Sequence, residues 1–140
     1  MSQKSPDRPA SPTSSRGDSD LPLAANGAPH QILITGGAGF VGSNLVRRCL
    51  LGGAQVTVLD DFSTGSEDNL PLGAPGLQIV RGSVTDFECV KQVVRGATIV
   101  IHAAARNIIV STRNPREDYE VNIGGTLNVL LAVRDSAVQR

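Results

Sequence analysis

The run Thr35-Gly36-Gly37-Ala38-Gly39-Phe40-Val41-Gly42 stands between an apolar triplet, Ile32-Leu33-Ile34, and a stretch with helical spacing. That junction limits the folds open to this chain more than any other feature. A strand that turns directly into a helix needs positions without Cβ atoms, and the glycines supply them. Two registers fit: Gly37, Gly39 and Gly42 spell G-x-G-x-x-G, whereas Gly36, Gly39 and Gly42 spell G-x-x-G-x-x-G. Either lets the backbone approach a bound group closely. The unpaired amides that open the helix, with the positive end of its dipole, make the turn a cradle for an anion such as a pyrophosphate.

From Gln31 onward, short apolar runs alternate with amphipathic stretches, which predicts βαβ units on a parallel sheet. Strands are expected at residues 32–34, 56–59, 77–80 and 98–101, in the order 3-2-1-4. Their apolarity is continuous rather than alternating, as in strands covered on both faces. The first helix, 40–51, should bury Val41, Leu45 and Cys49, turn Arg47 and Arg48 outward, and stop at Gly52-Gly53. Thr85-Asp86-Phe87-Glu88 has capping-box spacing and opens a helix whose Phe87, Val90 and Val94 form a stripe ended by Gly96. A last helix takes Asn114 as cap, Pro115 at its first position and Glu117 in its first turn, and runs through Leu131 or beyond. Gly124 and Gly125 inside it each cost about 1 kcal/mol relative to alanine, so a close packing partner is expected there.

Asp60 closes the second apolar run eighteen residues beyond Gly42. That is near the spacing of about 20 at which a carboxylate accepts hydrogen bonds from the ribose of a dinucleotide. Asp61 adds a second negative charge, which would repel a 2′-phosphate, so NAD is expected over NADP.

Composition removes other classes. Thirteen basic and thirteen acidic residues cancel, and aromatics are 3% with no tryptophan, so neither nucleic acid nor an anionic membrane surface is an expected partner. The longest apolar stretch, residues 97–105, is interrupted by His102 and is far shorter than the ~20 residues of a spanning helix. Cys49 and Cys89 sit in no CxxC pair and near no cluster of metal ligands; they read as small apolar residues of a reduced, cytoplasmic protein. No apolar leader core is visible at the N-terminus. Residues 1–29, rich in serine and proline with balanced charge, are expected to form a disordered, solvated tail.

With TGGAGFVG at 35–42, LDDFSTG at 59–65, RGSVTD at 81–86, HAAA at 102–105 and the N-x-x-G-T of Asn122 to Thr126, residues 31–140 resemble a known family. It is the NAD-dependent epimerase/dehydratase family of the extended short-chain dehydrogenases/reductases, and the match is to its N-terminal half. LDDFSTG is closer to UDP-glucose 4-epimerases than to 4,6-dehydratases. The resemblance implies an α/β fold with a Rossmann-type parallel sheet and helices on both faces. It also implies cofactor roles residue by residue. Gly36, Gly39 and Gly42 form the turn, and Phe40 and Val41 cover the pyrophosphate. Asp60 holds the adenosine ribose, while Asp61, Phe62, Ser63, Thr64 and Gly65 line the adenine-ribose side. Ser83 and Val84 flank the adenine, with Ser83 standing where the family has Asp, so weaker adenine contact is expected. Ala103, Ala104 and Ala105 pass beneath the cofactor. His102 is implied to be structural rather than catalytic, and Arg106, Arg113 and Arg116 are read as solvated surface rather than phosphate ligands.

In this family a Tyr-x-x-x-Lys pair on a later helix and a nearby Ser or Thr act on the sugar hydroxyl. The only tyrosine here, Tyr119, is followed four residues on by Ile123, so it is not that pair. The family's next strand would begin just beyond Val138-Gln139-Arg140. The sheet is therefore expected to be truncated after about four strands, leaving an unpaired apolar edge on the fourth. No catalytic residue is assigned to these 140 positions; the catalytic residues and the sugar-nucleotide domain are expected downstream, and the chain alone is expected to be marginally stable and inactive. The leading function is then the NAD-binding portion of a nucleotide-sugar 4-epimerase, in which bound NAD transiently oxidises C4. Such a chain takes a nucleotide sugar only with the missing half supplied, and homodimers are implied for full-length members. A non-catalytic NAD-binding or sensor module, with the last helix docking a partner, and a family reductase acting on a non-sugar substrate are the alternatives.

Overall fold

A computed structural model of the protein describes residues 27–140. The tail expected over residues 1–29 lies, apart from its last three residues, outside the described residues. Four parallel strands, β1 (Gln31–Thr35), β2 (Gln55–Asp60), β3 (Leu77–Arg81) and β4 (Ile99–His102), form one sheet in the order β3-β2-β1-β4. The expected order and strand positions hold. The one shift is at β4, where Thr98 instead uses its side chain to tie the start of β1, its hydroxyl accepting from the Gln31 amide at 3.1 Å.

Because successive side chains point to opposite faces of a strand, the two central strands feed two cores. Ile32 and Ile34 of β1 pack with Val56 and Val58 of β2 under α1 (Phe40–Leu51), where Val46 and Cys49 meet them. Leu33 and Leu59 point to the other face and meet Val90 and Val94 of α2 (Phe87–Val94), together with Val121, Val129 and Ala132 of a later helix. Helices thus cover both faces, and the continuous apolarity of β1 and β2 follows. The outer strands β3 and β4 are only half-buried.

Three local expectations are corrected. Val41 is exposed and Leu45 only half-buried; α1 buries Cys49 as expected, together with Gly42, Ser43 and Val46. The helix is rotated because Gly42 rests directly on the carbonyl of Gly36, a contact of backbone on backbone that hydrophobic spacing does not register. The α2 cap is Asp86, whose side chain accepts from the Cys89 amide at 3.1 Å, while Thr85 bonds Ser83. Gly125 has the expected packing partner, since a Cβ there would lie 2.5 Å from Val84 Cγ2, but Gly124 has nothing closer than 3.9 Å.

The segment after β4 is richer than its pattern suggested. A short α3 (Ile108–Arg113) is capped by Asn107 and leads to α4 (Pro115–Asp118), capped as expected by Asn114. The helix then continues through a π-helical stretch, Tyr119–Gly125, into α5 (Thr126–Arg134). Nor is the β4 edge bare. Gln139 donates to the Thr98 carbonyl and the Val100 amide donates to the Arg140 carbonyl, both at 2.8 Å, because residues after α5 double back along β4. Cys49 and Cys89 are both free thiols, and burial pushes both up in pKa. Among the described residues no helix is long and apolar enough to cross a membrane.

Candidate functional site

Strand β1 is flanked by β2 on one side and β4 on the other, so the chain leaves the sheet in opposite directions at its carboxyl end. A crevice opens at such a switch point, and open α/β sheets bind ligands there. Here it is a cleft of about 340 Å³. One bank is the glycine turn and the start of α1, the other is the loop after β4, and the end of β2 closes the side.

The structure decides between the two glycine registers. Gly36, Gly39 and Gly42 line the cleft, whereas Gly37 is turned beneath it against Val58. Gly36 has φ +67°, and a Cβ on it would come within 2.7 Å of the Ala103 and Ala104 backbone, so glycine is required on both counts. Gly39 caps α1 without a side chain, and the first turn of the helix holds no acidic residue. No side chain of the cap or of the first turn therefore neutralises the positive end of α1 where it faces the cleft.

Asp60 is 8% exposed and aims its carboxylate at this turn. Oδ2 accepts from the Ala38 amide and Oδ1 from the Phe62 amide, each at 2.8 Å. These bonds fix β2 to the turn. A carboxylate has about four acceptor positions, so two remain for a ligand in the cleft.

Of the other residues assigned from sequence, Phe40, Val41, Asp61, Ser63, Thr64, Gly65, Val84, Ala103, Ala104 and Ala105 also line the cleft. Phe62 and Ser83 do not. Phe62, at φ +57°, turns its ring away under the Arg81 guanidinium, 4.3 Å from the centroid. The Ser83 hydroxyl is held in its own turn, accepting from the Thr85 amide at 3.2 Å and bonding the Thr85 hydroxyl at 2.9 Å.

His102 is bonded within the fold at both ring nitrogens. Its Nδ1 lies 2.7 Å from Thr35 Oγ1 and its Nε2 3.0 Å from Thr126 Oγ1, which ties β4 to β1 and to α5. Burial pushes its pKa down.

Arg106 departs from its expected place on the solvated surface; Arg113 and Arg116 are exposed as expected. The Arg106 side chain is 11% exposed and lies in the cleft wall. Nη2 donates to Asp61 Oδ2 at 2.9 Å, Nη1 to Ser63 Oγ at 2.6 Å and Nε to Glu117 Oε1 at 2.7 Å. The Ser63 hydroxyl in turn donates to Asp61 Oδ1 at 2.6 Å, closing a ring. Burial acts to raise the Asp61 pKa, but the bonds from Ser63 and Arg106 outweigh it and hold the carboxyl below the usual range. Leu59, Gly82, Arg106, Asn107 and Val121 also line the cleft and went unassigned. Leu59, Gly82 and Arg106 adjoin assigned motif residues and Asn107 stands one position further on; Val121 carried no signal beyond its neighbour Asn122. Asn122 itself clamps the Arg106 backbone, accepting from its amide at 2.7 Å and donating to its carbonyl at 3.1 Å. Among the described residues no group of three or more potential ligands could hold a metal ion.

Comparison with known proteins agrees with this geometry. The sequence model of the NAD dependent epimerase/dehydratase family matches residues 32–140. The chain is similar to the UDP-glucose 4-epimerase of Streptomyces lividans, 36% identical over 112 residues and covering 77% of this chain and 33% of that enzyme. It is similar in structure to the UDP-glucose 4-epimerase of Thermus thermophilus in complex with NAD. There the identity is 41% and the TM-score 0.67, over 74% of this chain and 33% of that one. A second likeness is to the enzyme WbmG of Bordetella bronchiseptica in complex with NAD. There the identity is 37% and the TM-score 0.75, over 84% of this chain and 38% of that one. The chain spans about a third of the length of the curated relatives it matches.

Proposed function

Because the chain belongs to the NAD-dependent epimerase/dehydratase family, we propose that its cleft holds the adenosine and pyrophosphate part of NAD. Residues 30–140 then form the N-terminal half of the NAD-binding domain of a nucleotide-sugar 4-epimerase. One observation carries the reading: the Gly36, Gly39 and Gly42 cradle at the uncapped start of α1 and the half-satisfied Asp60 carboxylate share a single cleft.

The residues fit the group. The α1 amides meet the pyrophosphate charge, with Phe40 and Val41, 86% and 62% exposed, standing over it. Asp60 accepts from the ribose hydroxyls through its two remaining positions. Ala103 to Ala105 give a floor with little side chain, and Val84 offers an apolar contact to the adenine. NAD bound here supplies a hydride acceptor for transient oxidation of a sugar C4. The protein's own part is to bind and orient; His102, bonded on both sides, holds β4 in place and moves no proton of the substrate. The free thiols of Cys49 and Cys89 support a reducing, cytoplasmic setting.

Isothermal titration of the 140-residue chain tests the reading. One NAD per chain is expected, with NADP weaker; absence of NAD binding, or tighter NADP binding, overturns it. With NAD and UDP-glucose supplied, the chain alone is expected to give no turnover, since Tyr119 has no lysine four residues on. Formation of UDP-galactose at an ordinary enzymatic rate would refute that.

A further inference from the structure

The charge at the mouth of the cleft is not what its sequence spells. Asp60 and Asp61 are consecutive carboxylates at the end of β2, and on spacing alone both would repel a 2′-phosphate. In the fold they differ. Asp60 is held by two backbone amides and, among the described residues, by no cation. Asp61 is closed into a ring with Arg106 and Ser63, on a guanidinium that is 11% exposed.

We propose that Arg106 is a specificity-determining residue of the cleft: its guanidinium, shared between Asp61 and Glu117, offsets the second negative charge at the end of β2 and so sets how strongly the cleft discriminates between NAD and NADP beyond what Asp60 does. This rests on the reading that the cleft binds NAD. The local charges follow from the geometry. Arg106 also takes Glu117 at 2.7 Å, and the second Glu117 oxygen accepts from Asn114 at 3.1 Å. Arg81, the other nearby cation, lies over Phe62 and pairs with Glu67. Removing Arg106 therefore takes the Asp61, Arg106 and Glu117 cluster from one net negative charge to two, whereas neutralising Asp61 takes it from one to none, with Arg106 still paired to Glu117. Since the 2′-phosphate is the only difference between the cofactors, the ratio of their affinities reads this balance. A purely mechanical tie between the two loops would change both affinities together.

The test is titration of the wild-type chain and of Arg106→Gln, Arg106→Lys and Asp61→Asn with NAD and with NADP. Arg106→Gln is expected to raise the NAD to NADP affinity ratio about tenfold, and Asp61→Asn to lower it about tenfold. Both shifts should shrink in added salt. Arg106→Lys, which keeps the charge, should keep the wild-type ratio. An unchanged ratio in Asp61→Asn overturns the proposal, even if Arg106→Gln fails to fold. Wild-type chain that binds NAD with unchanged ratios in the variants refutes this inference alone; wild-type chain that does not bind NAD refutes the cofactor reading and this inference with it.

Discussion

Replacing His102 by valine removes the middle of a hydrogen-bond chain whose direction the structure fixes. Thr35 Oγ1 accepts from the Ala103 and Ala104 amides at 3.2 and 3.3 Å, so its own proton goes to His102 Nδ1 at 2.7 Å. That assigns the ring proton to Nε2, which donates to Thr126 Oγ1 at 3.0 Å; the Thr126 hydroxyl passes on to the Asn122 carbonyl at 2.6 Å. Valine deletes two of these bonds, worth about 1 kcal/mol each, and leaves the fully buried Thr35 hydroxyl without an acceptor, roughly 1–3 kcal/mol more. The expected loss at pH 8 is about 3–5 kcal/mol, measured by urea unfolding followed by circular dichroism. The pH dependence has a definite sign. Burial lowers the His102 pKa, so the unfolded chain takes up a proton at higher pH than the folded one does. The neutral ring stabilises fully above about pH 6.5, and this contribution is lost as pH falls below that value. The gap between wild type and His102→Val should therefore narrow in acid. A gap below about 1 kcal/mol at pH 8, or one that widens in acid, would refute the hydrogen-bond chain.

Two further substitutions test the packing. Gly125→Ala should lower the thermal midpoint by the equivalent of about 1–3 kcal/mol, because its Cβ meets Val84 at 2.5 Å, whereas Gly124→Ala should raise it by up to about 1 kcal/mol; equal signs for the pair would contradict the contact. Asp86→Ala should cost about 1 kcal/mol in the same assay through loss of the α2 cap, and Thr85→Ala clearly less; the reverse order would return the cap to Thr85.

What could be read without coordinates depended on whether the signal was local. The glycine turn, Asp60 and the strand order are legible because strand, turn and helix are consecutive and their apolar runs carry a period. The inward face of α1 was misread at Val41 because a glycine contact, Gly42 on Gly36, sets the rotation of the helix, and glycine contributes nothing to a hydrophobic pattern. The role of Arg106 was hidden for a different reason. Its partners Asp61 and Ser63 are more than forty positions away, and a surface arginine and a buried one look alike until the fold brings their carboxylates together. Phe62 failed in a third way: its motif placed it on the cleft, but a left-handed backbone sent its ring elsewhere.

The π-helical stretch gives the helix after Asp118 a fixed length. Within a few residues it must present Asn122 to the Arg106 backbone, Gly125 to Val84, Thr126 to His102 and Val129 to the core, and its wider turn brings these four into phase. Removing one residue between Tyr119 and Gly125 would restore ordinary α-helical winding and detach some of these contacts while keeping the composition almost unchanged. Within this segment, then, an insertion or deletion is more damaging than most substitutions, and an alignment that opens a gap there places it at one of the least tolerant points of the fold.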